Sequence, residues 1–288
     1  MIFKGTATAL ITPFTEDDKV DRTALCDIVE NQIANGVNAL VALGTTGEPA
    51  TLSEEEKEQI VRLCVKRARG RVPIFVGVGS NCTAHAVENC LRAQEWGADG
   101  LLVVTPYYNK CTQDGLVEHY RAIARATDLP VVCYNVPSRT GVNLLPQTFA
   151  RIANECENIV GLKEASGNME QIEKCISLCP DMVISGDDAL TLPTMAMGGI
   201  GVISVASNVC PKFVSDMTAL ALQGDFEKAR KMQLALLPLI SALFCEVNPI
   251  PVKKAMELKG YCKSSLRLPL TQMTAENAKK LAAVLENF

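Results

Sequence analysis

A short, β-branched apolar run followed by a longer segment of helical period recurs eight times along this chain, with glycine, proline or asparagine at the joints. The runs predict strands at 6–11, 39–43, 72–78, 101–104, 131–135, 159–163, 182–185 and 200–205. Each is apolar on both faces, the pattern of a parallel strand covered by helices. Ser53-Glu54-Glu55-Glu56 reads as a capping box opening a helix to Arg69, with Ser53 offered to the third amide and Glu56 reaching back. Thr83 is expected to cap a helix ending at Trp96-Gly97. Further helices are predicted at 22–35, 113–126, 146–155, 168–178, 188–197 and 211–222, with Gly36 and Gly224 as stops.

Eight βα units in a row, without a long linker or a shift of composition, argue for a closed TIM (β/α)8 barrel over an open doubly wound sheet. The first strand leads into Thr12-Pro13-Phe14 rather than a Gly-rich phosphate turn, which counts against a nucleotide-binding sheet. Beyond residue 224 the strands stop, and helices are predicted at 225–244, 249–259 and 274–286. The expected division is a barrel domain at 1–224 and a C-terminal helical region at 225–288, too small to be an enzyme alone.

Composition narrows the classes of partner. The formal charge is −4, and no Lys/Arg cluster exceeds short pairs such as Lys253-Lys254, so no electrostatic footprint for nucleic acid or an anionic membrane is expected. A small or acidic metabolite remains open. The start, MIFKGTATAL, has no charged leader before a long apolar stretch, and no run approaches the roughly 18 apolar residues of a membrane span, so a cytoplasmic location is expected. The 12 cysteines are scattered without a CxxC and are expected to be reduced core thiols. With His85 and His119 the only histidines, no zinc site is expected, and no cofactor is called for.

In a barrel enzyme the reactive side chains gather at the carboxyl ends of the strands. The sixth strand ends in Lys163-Glu164. Turned inward, Lys163 would be desolvated, which favours the free amine and its attack on a ketone; turned outward, it would be solvated or paired with Glu164. The fifth strand ends at Tyr134, either a packing residue or a phenol that carries protons. The second runs into Gly44-Thr45-Thr46-Gly47-Glu48, either a capped turn or a loop whose amides and hydroxyls hold a carboxylate. Arg139 follows the fifth strand and is either a solvated loop residue or a fork for a second carboxylate. Tyr107-Tyr108 after the fourth strand is an interface pair or a source of a catalytic phenol.

Taken together, GTTGE at 44–48, TPYYN at 105–109, YNVPSRTG at 134–141, GLKEASGN at 161–168, SGDD at 185–188 and GGIGVISV at 198–205 resemble the dihydrodipicolinate synthase family of Schiff-base aldolases. The likeness runs from FKGTATALITPF to NPIPVKKAMELKG at 248–260. It implies that Lys163 forms a Schiff base with pyruvate and that Tyr134, Thr45 and Tyr108 make a proton relay, Tyr108 reaching into a neighbouring subunit's site. It further implies that Thr46 binds a carboxylate, that Gly186 and Ile203 line the pyruvate pocket, and that Arg139 receives the carboxylate of L-aspartate 4-semialdehyde. The implied reaction condenses those two substrates toward diaminopimelate and lysine, without metal or organic cofactor, in a homodimer or a tetramer built as a dimer of dimers.

Two alternatives stay open beside it. N-acetylneuraminate lyase and sugar-acid aldolases share the lysine, the tyrosine and the Gly-rich loop, although Arg139 in SRTG speaks for an acidic aldehyde. A catalytically silent barrel is the other. In lysine-inhibited relatives a regulatory pocket is lined by residues matching Pro49, Ala50, Glu54, Lys57, Asn81, His85 and Tyr107, with histidines typical at the positions of Glu54 and Lys57. Lys57 would repel a cationic effector, so weak or absent inhibition is expected.

Overall fold

The computed structural model describes residues 3–288; the first two positions of the expected barrel domain lie outside them. Eight strands, β1 (Gly5–Ala9), β2 (Ala39–Ala42), β3 (Ile74–Gly77), β4 (Gly100–Val104), β5 (Val131–Asn135), β6 (Ile159–Glu164), β7 (Val183–Ser185) and β8 (Gly201–Ser204), close in sequence order into one parallel barrel. β8 returns to β1 in the register Gly5↔Gly201 to Thr8↔Ser204. The TIM barrel expected from the alternation is therefore present. β1 stops two residues short of the expected end because the Asn208 side chain replaces a strand neighbour, accepting from the Ile11 amide at 3.2 Å and donating to the Ala9 carbonyl at 2.8 Å.

The helices α1 (Arg22–Ala34), α2 (Glu54–Ala68), α3 (Thr83–Glu95), α4 (Gln113–Ala126), α5 (Pro137–Thr140), α6 (Pro146–Glu155), α7 (Met169–Leu178), α8 (Thr191–Ala196) and α9 (Pro211–Leu222) sit between and after the strands. The capping box forms at α2, with the Glu56 amide donating to Ser53 Oγ at 3.2 Å and the Ser53 amide to Glu56 Oε2 at 2.9 Å. Gly36 and Gly224 follow α1 and α9 with φ of +81° and +83°, a conformation that ends a helix cheaply only at glycine.

Three local expectations need correction. Cys82, not Thr83, is the N-cap of α3, and the Thr83 hydroxyl is instead 2.9 Å from Nδ1 of the buried His119. The helix expected over 188–197 is a 3-10 turn at Asp188–Leu190 followed by the shorter α8, because the Asp188 carboxylate turns inward to Ser204 and the Val205 and Ala206 amides. The segment holding Arg139, expected as a loop, is the single helical turn α5, started by Pro137 at its first position.

Two apolar cores result. One lies between the sheet and its helices; the other fills the barrel, where Ala7, Val41, Leu102, Val132, Ile184 and Ile203 face one another. The C-terminal helices α10 (Phe226–Leu243), α11 (Ile250–Leu258) and α12 (Ala275–Leu285) pack on one another and on α8 and α9. Lys253 of α11 is fully buried, 2.6 Å from the equally buried Glu48 at the end of the second-strand loop. The Lys253-Lys254 pair is thus no solvated surface pair. Among the described residues no helix is long and apolar enough to cross a membrane, and all twelve cysteines are free thiols.

Candidate active site

Tyr134 of β5 and Lys163 of β6 are direct partners in the sheet. Their neighbours Cys133 and Leu162 belong to the outer core, so the period-two alternation turns Tyr134 and Lys163 into the barrel. Lys163 is 6% exposed, and its amine stands 4.3 Å from the centre of the Tyr134 ring. Glu164 faces the other way, accepting from Asn135 Nδ2 at 2.9 Å, Gln171 Nε2 at 3.2 Å and the Ser166 amide at 2.7 Å. The outward, Glu164-paired lysine is therefore not what the chain adopts. The amine rests on an aromatic face, and no carboxylate has to be displaced before it can attack a carbonyl.

Gly186 explains itself by contact. A Cβ at that position would lie 3.0 Å from Lys163 Cε and 2.6 Å from the Ala165 Cβ, so only glycine leaves the lysine stem where it is. Gly186→Ala is expected to lower kcat/KM about 10²-fold by displacing the Lys163 amine, with the far-ultraviolet circular dichroism unchanged. An alanine variant with wild-type kinetics would show that the lysine stem has room the contact distances deny.

The second-strand loop is a 3-10 turn over Thr45–Gly47. Thr12 Oγ1 donates to the Gly47 carbonyl at 2.7 Å, and Glu48 is held at a φ of +54° while its carboxylate engages Lys253. A left-handed non-glycine residue is uncommon and persists where its surroundings over-determine it. Thr46 is buried, and its hydroxyl oxygen accepts from Asn248 Nδ2 at 3.0 Å; Thr45 is half-buried.

Above the barrel lies a cavity of about 720 Å³, walled in part by Thr45, Tyr134, Arg139, Thr140, Asn248 and Tyr107. Arg139 is exposed, with Nη2 3.3 Å from the Asn248 carbonyl. Lys163, Thr46, Gly186 and Ile203 do not themselves form its walls. Lys163 is contiguous with it through Tyr134, and Thr46 through Asn248. Ile203 is inside the barrel, and the strand end just after it is fixed by Asp188. Burial pushes the Asp188 carboxyl above its usual range, against the pull of the Ser204 hydroxyl and the two amides.

Tyr108 is the one expected relay member not brought to this chain's cavity. It is 90% exposed and sits at a φ of +71°, on the surface beside the half-exposed Tyr107. Of the expected regulatory residues, Pro49, Ala50, Glu54, Lys57, His85 and Tyr107 all line the same cavity as Tyr134, whereas Asn81 does not and offers its carbonyl to Asn109 Nδ2 at 2.9 Å. Glu54 is 2.7 Å from both Lys57 and Arg92. Among the described residues no group of three or more His, Cys, Asp or Glu side chains is placed to hold a metal ion. Sequence reasoning gave no role to Asn248, Glu48, Lys253 or Asp188. All four stand inside quoted motifs, but nothing local distinguishes them from packing or surface residues.

The profile of the Dihydrodipicolinate synthetase family matches residues 2–288. The 4-hydroxy-tetrahydrodipicolinate synthase of Alkaliphilus oremlandii is 51% identical over 282 residues, 97% of each chain. A dihydrodipicolinate synthase structure from Thermotoga maritima superposes with a TM-score of 0.98 at 45% identity, covering 99% of this chain and 98% of that one. The pyruvate complex of the Acinetobacter baumannii enzyme gives 0.96 at 41% identity over 99% of both. With the barrel, the inward lysine and a full-length match in agreement, this chain belongs to the dihydrodipicolinate synthetase family.

Proposed function

We propose that Lys163 is the amine through which this chain performs its family's reaction, the condensation of pyruvate with L-aspartate 4-semialdehyde in lysine biosynthesis. The chain is a lyase of the Schiff-base aldolase type. The observation that carries the assignment of Lys163 is its buried amine on the face of Tyr134, free of any carboxylate partner. The amine adds to the pyruvate ketone, and loss of water gives an imine. Loss of a methyl proton gives the enamine, whose carbon attacks the aldehyde. The amino group of the second substrate then adds at the imine carbon, expels Lys163 and closes the ring. The protonated imine is the electron sink.

In this reading Tyr134 shuttles the protons and Thr45, which lines the same cavity, continues the relay. Thr46 meets the pyruvate carboxylate, Gly186 and Ile203 shape the pocket floor, and Arg139 takes the carboxylate of the aldehyde. Tyr108, exposed in its own subunit, completes the relay of a second copy, so the working unit is a homodimer or a dimer of dimers. The barrel at 1–224 does the chemistry, the helices at 225–288 support it, and the cytoplasm is where such a biosynthetic enzyme works. The test offers pyruvate with aspartate semialdehyde and, separately, with N-acetylmannosamine. Turnover is expected only with the first, and turnover only with the second would overturn the reading.

The Pro49 to Tyr107 end of the cavity, Asn81 beside it, is assigned as the counterpart of a lysine-effector pocket. Here the Glu54 carboxylate is paired with both Lys57 and Arg92, and the other carboxylate at that end, Glu88, is exposed to solvent. Lys57 beside Glu54 repels an ammonium effector. Millimolar lysine is expected to inhibit weakly or not at all in a steady-state assay, and strong inhibition would contradict the charge argument.

A further inference from the structure

Asn248 is 7% exposed, and it makes two of the contacts that define the cavity's substrate end: its Nδ2 donates to Thr46 Oγ1 at 3.0 Å, and its backbone carbonyl accepts from Arg139 Nη2 at 3.3 Å. Its remaining polar atom, Oδ1, is buried without any hydrogen-bond partner, although the residue lines the cavity. A buried carbonyl oxygen left unpaired is costly, and in a residue that lines a cavity it is the group whose missing bond a ligand donor can complete. With Nδ2 donating to Thr46, Oδ1 is the end of the amide left without a partner.

The chemistry of the second substrate supplies the donor. An α-amino acid carries its carboxylate and its ammonium on one carbon, so the groups that recognise them must stand side by side. Arg139 and Asn248, joined by a hydrogen bond, offer a cationic fork next to an empty acceptor. Of the carboxylates lining the cavity that could otherwise take an ammonium, Glu48 is engaged by Lys253 and Glu54 by Lys57 and Arg92, while Glu88 is exposed. We infer that Asn248 Oδ1 accepts a hydrogen bond from the α-ammonium of the aldehyde substrate, making Asn248 the residue that selects an amino-acid aldehyde over one bearing only a carboxylate. This rests on the reaction given above and adds a specificity determinant to it. A site built to satisfy its own buried polar atom through the substrate rejects the analogue that lacks the donor more strongly than a merely apolar pocket could.

The test compares aspartate semialdehyde with succinate semialdehyde, which keeps the aldehyde and the carboxylate and lacks the ammonium. The readout is the ratio of kcat/KM for the first to the reciprocal inhibition constant of the second, measured in the intact enzyme. In Asn248→Leu the ratio is expected to fall about ten- to hundredfold, as for loss of a hydrogen bond to a charged group. In Asn248→Asp, which keeps an acceptor, it is expected to stay at or above the wild-type value. General damage through Thr46 moves both aldehydes together and leaves the ratio unchanged; that result, or a fall in Asn248→Asp as deep as in Asn248→Leu, overturns the inference while leaving the family reaction intact. A wild-type enzyme that does not turn over aspartate semialdehyde would instead remove the reaction assignment itself, and this inference with it.

Discussion

Lys163→Ala is expected to lower kcat about 10⁴-fold or more, the scale on which enzymes lose activity with their nucleophile. Borohydride reduction in the presence of pyruvate should raise the mass of the wild-type chain by one pyruvic acid less one oxygen, at Lys163, and should leave the variant unchanged. The stability effect should run the other way. The amine is buried without a carboxylate partner, and apolar groups suit such a place better than an ammonium does. Lys163→Met is therefore expected to unfold at the same temperature as wild type or higher while being inactive. A loss of activity traced to unfolding, or a reduced adduct on any other lysine, would sink the assignment.

The second large effect concerns folding. Lys253→Met leaves the Glu48 carboxylate buried with its cation gone, and breaking a buried pair from one side costs about 3–5 kcal/mol. At about 2–4 °C per kcal/mol for a chain of this size class, the melting temperature should drop by roughly 6–20 °C. Burial by itself lowers the Lys253 pKa, and Glu48 pulls it back up. The ammonium also sits 4.1 Å from the centre of the Phe14 ring, with the Arg267 guanidinium 4.4 Å from the same ring, so the lysine is packed as well as paired. The double variant Glu48→Gln, Lys253→Met removes both charges and should recover a large part of the loss. Differential scanning calorimetry reads the comparison. If the single and double variants melt together, the unpaired carboxylate is not what the single substitution exposes.

The parts of the fold legible in the sequence are those written in neighbouring residues. The eight strands are local apolar runs, and the box at Ser53 and Glu56 is a contact across three positions, so each could be read before any tertiary structure was known. The reading failed where a distant partner overrides local pattern. Asn208 takes the strand place beyond Ala9 from 199 positions away, and Asp188 bends toward the end of β8 instead of continuing a helix. The candidate site divides the same way. Lys163, Tyr134 and the two threonines stand at strand ends that periodicity locates, whereas the inward turn of Lys163 depended on which neighbour, Leu162, the helices covered. Asn248 and Lys253 act on the second-strand loop from more than two hundred positions downstream, and no local pattern carries that information.

That long reach has a meaning for how the chain is made. Glu48 emerges early from the ribosome and acquires its counter-charge only when Lys253 follows, 205 residues later. Until then a nascent barrel holds an acid that has to stay hydrated, which keeps the loop above it from settling. Translation that stops short of α11 thus leaves a product whose second-strand loop is unfinished, although all eight strands are already present.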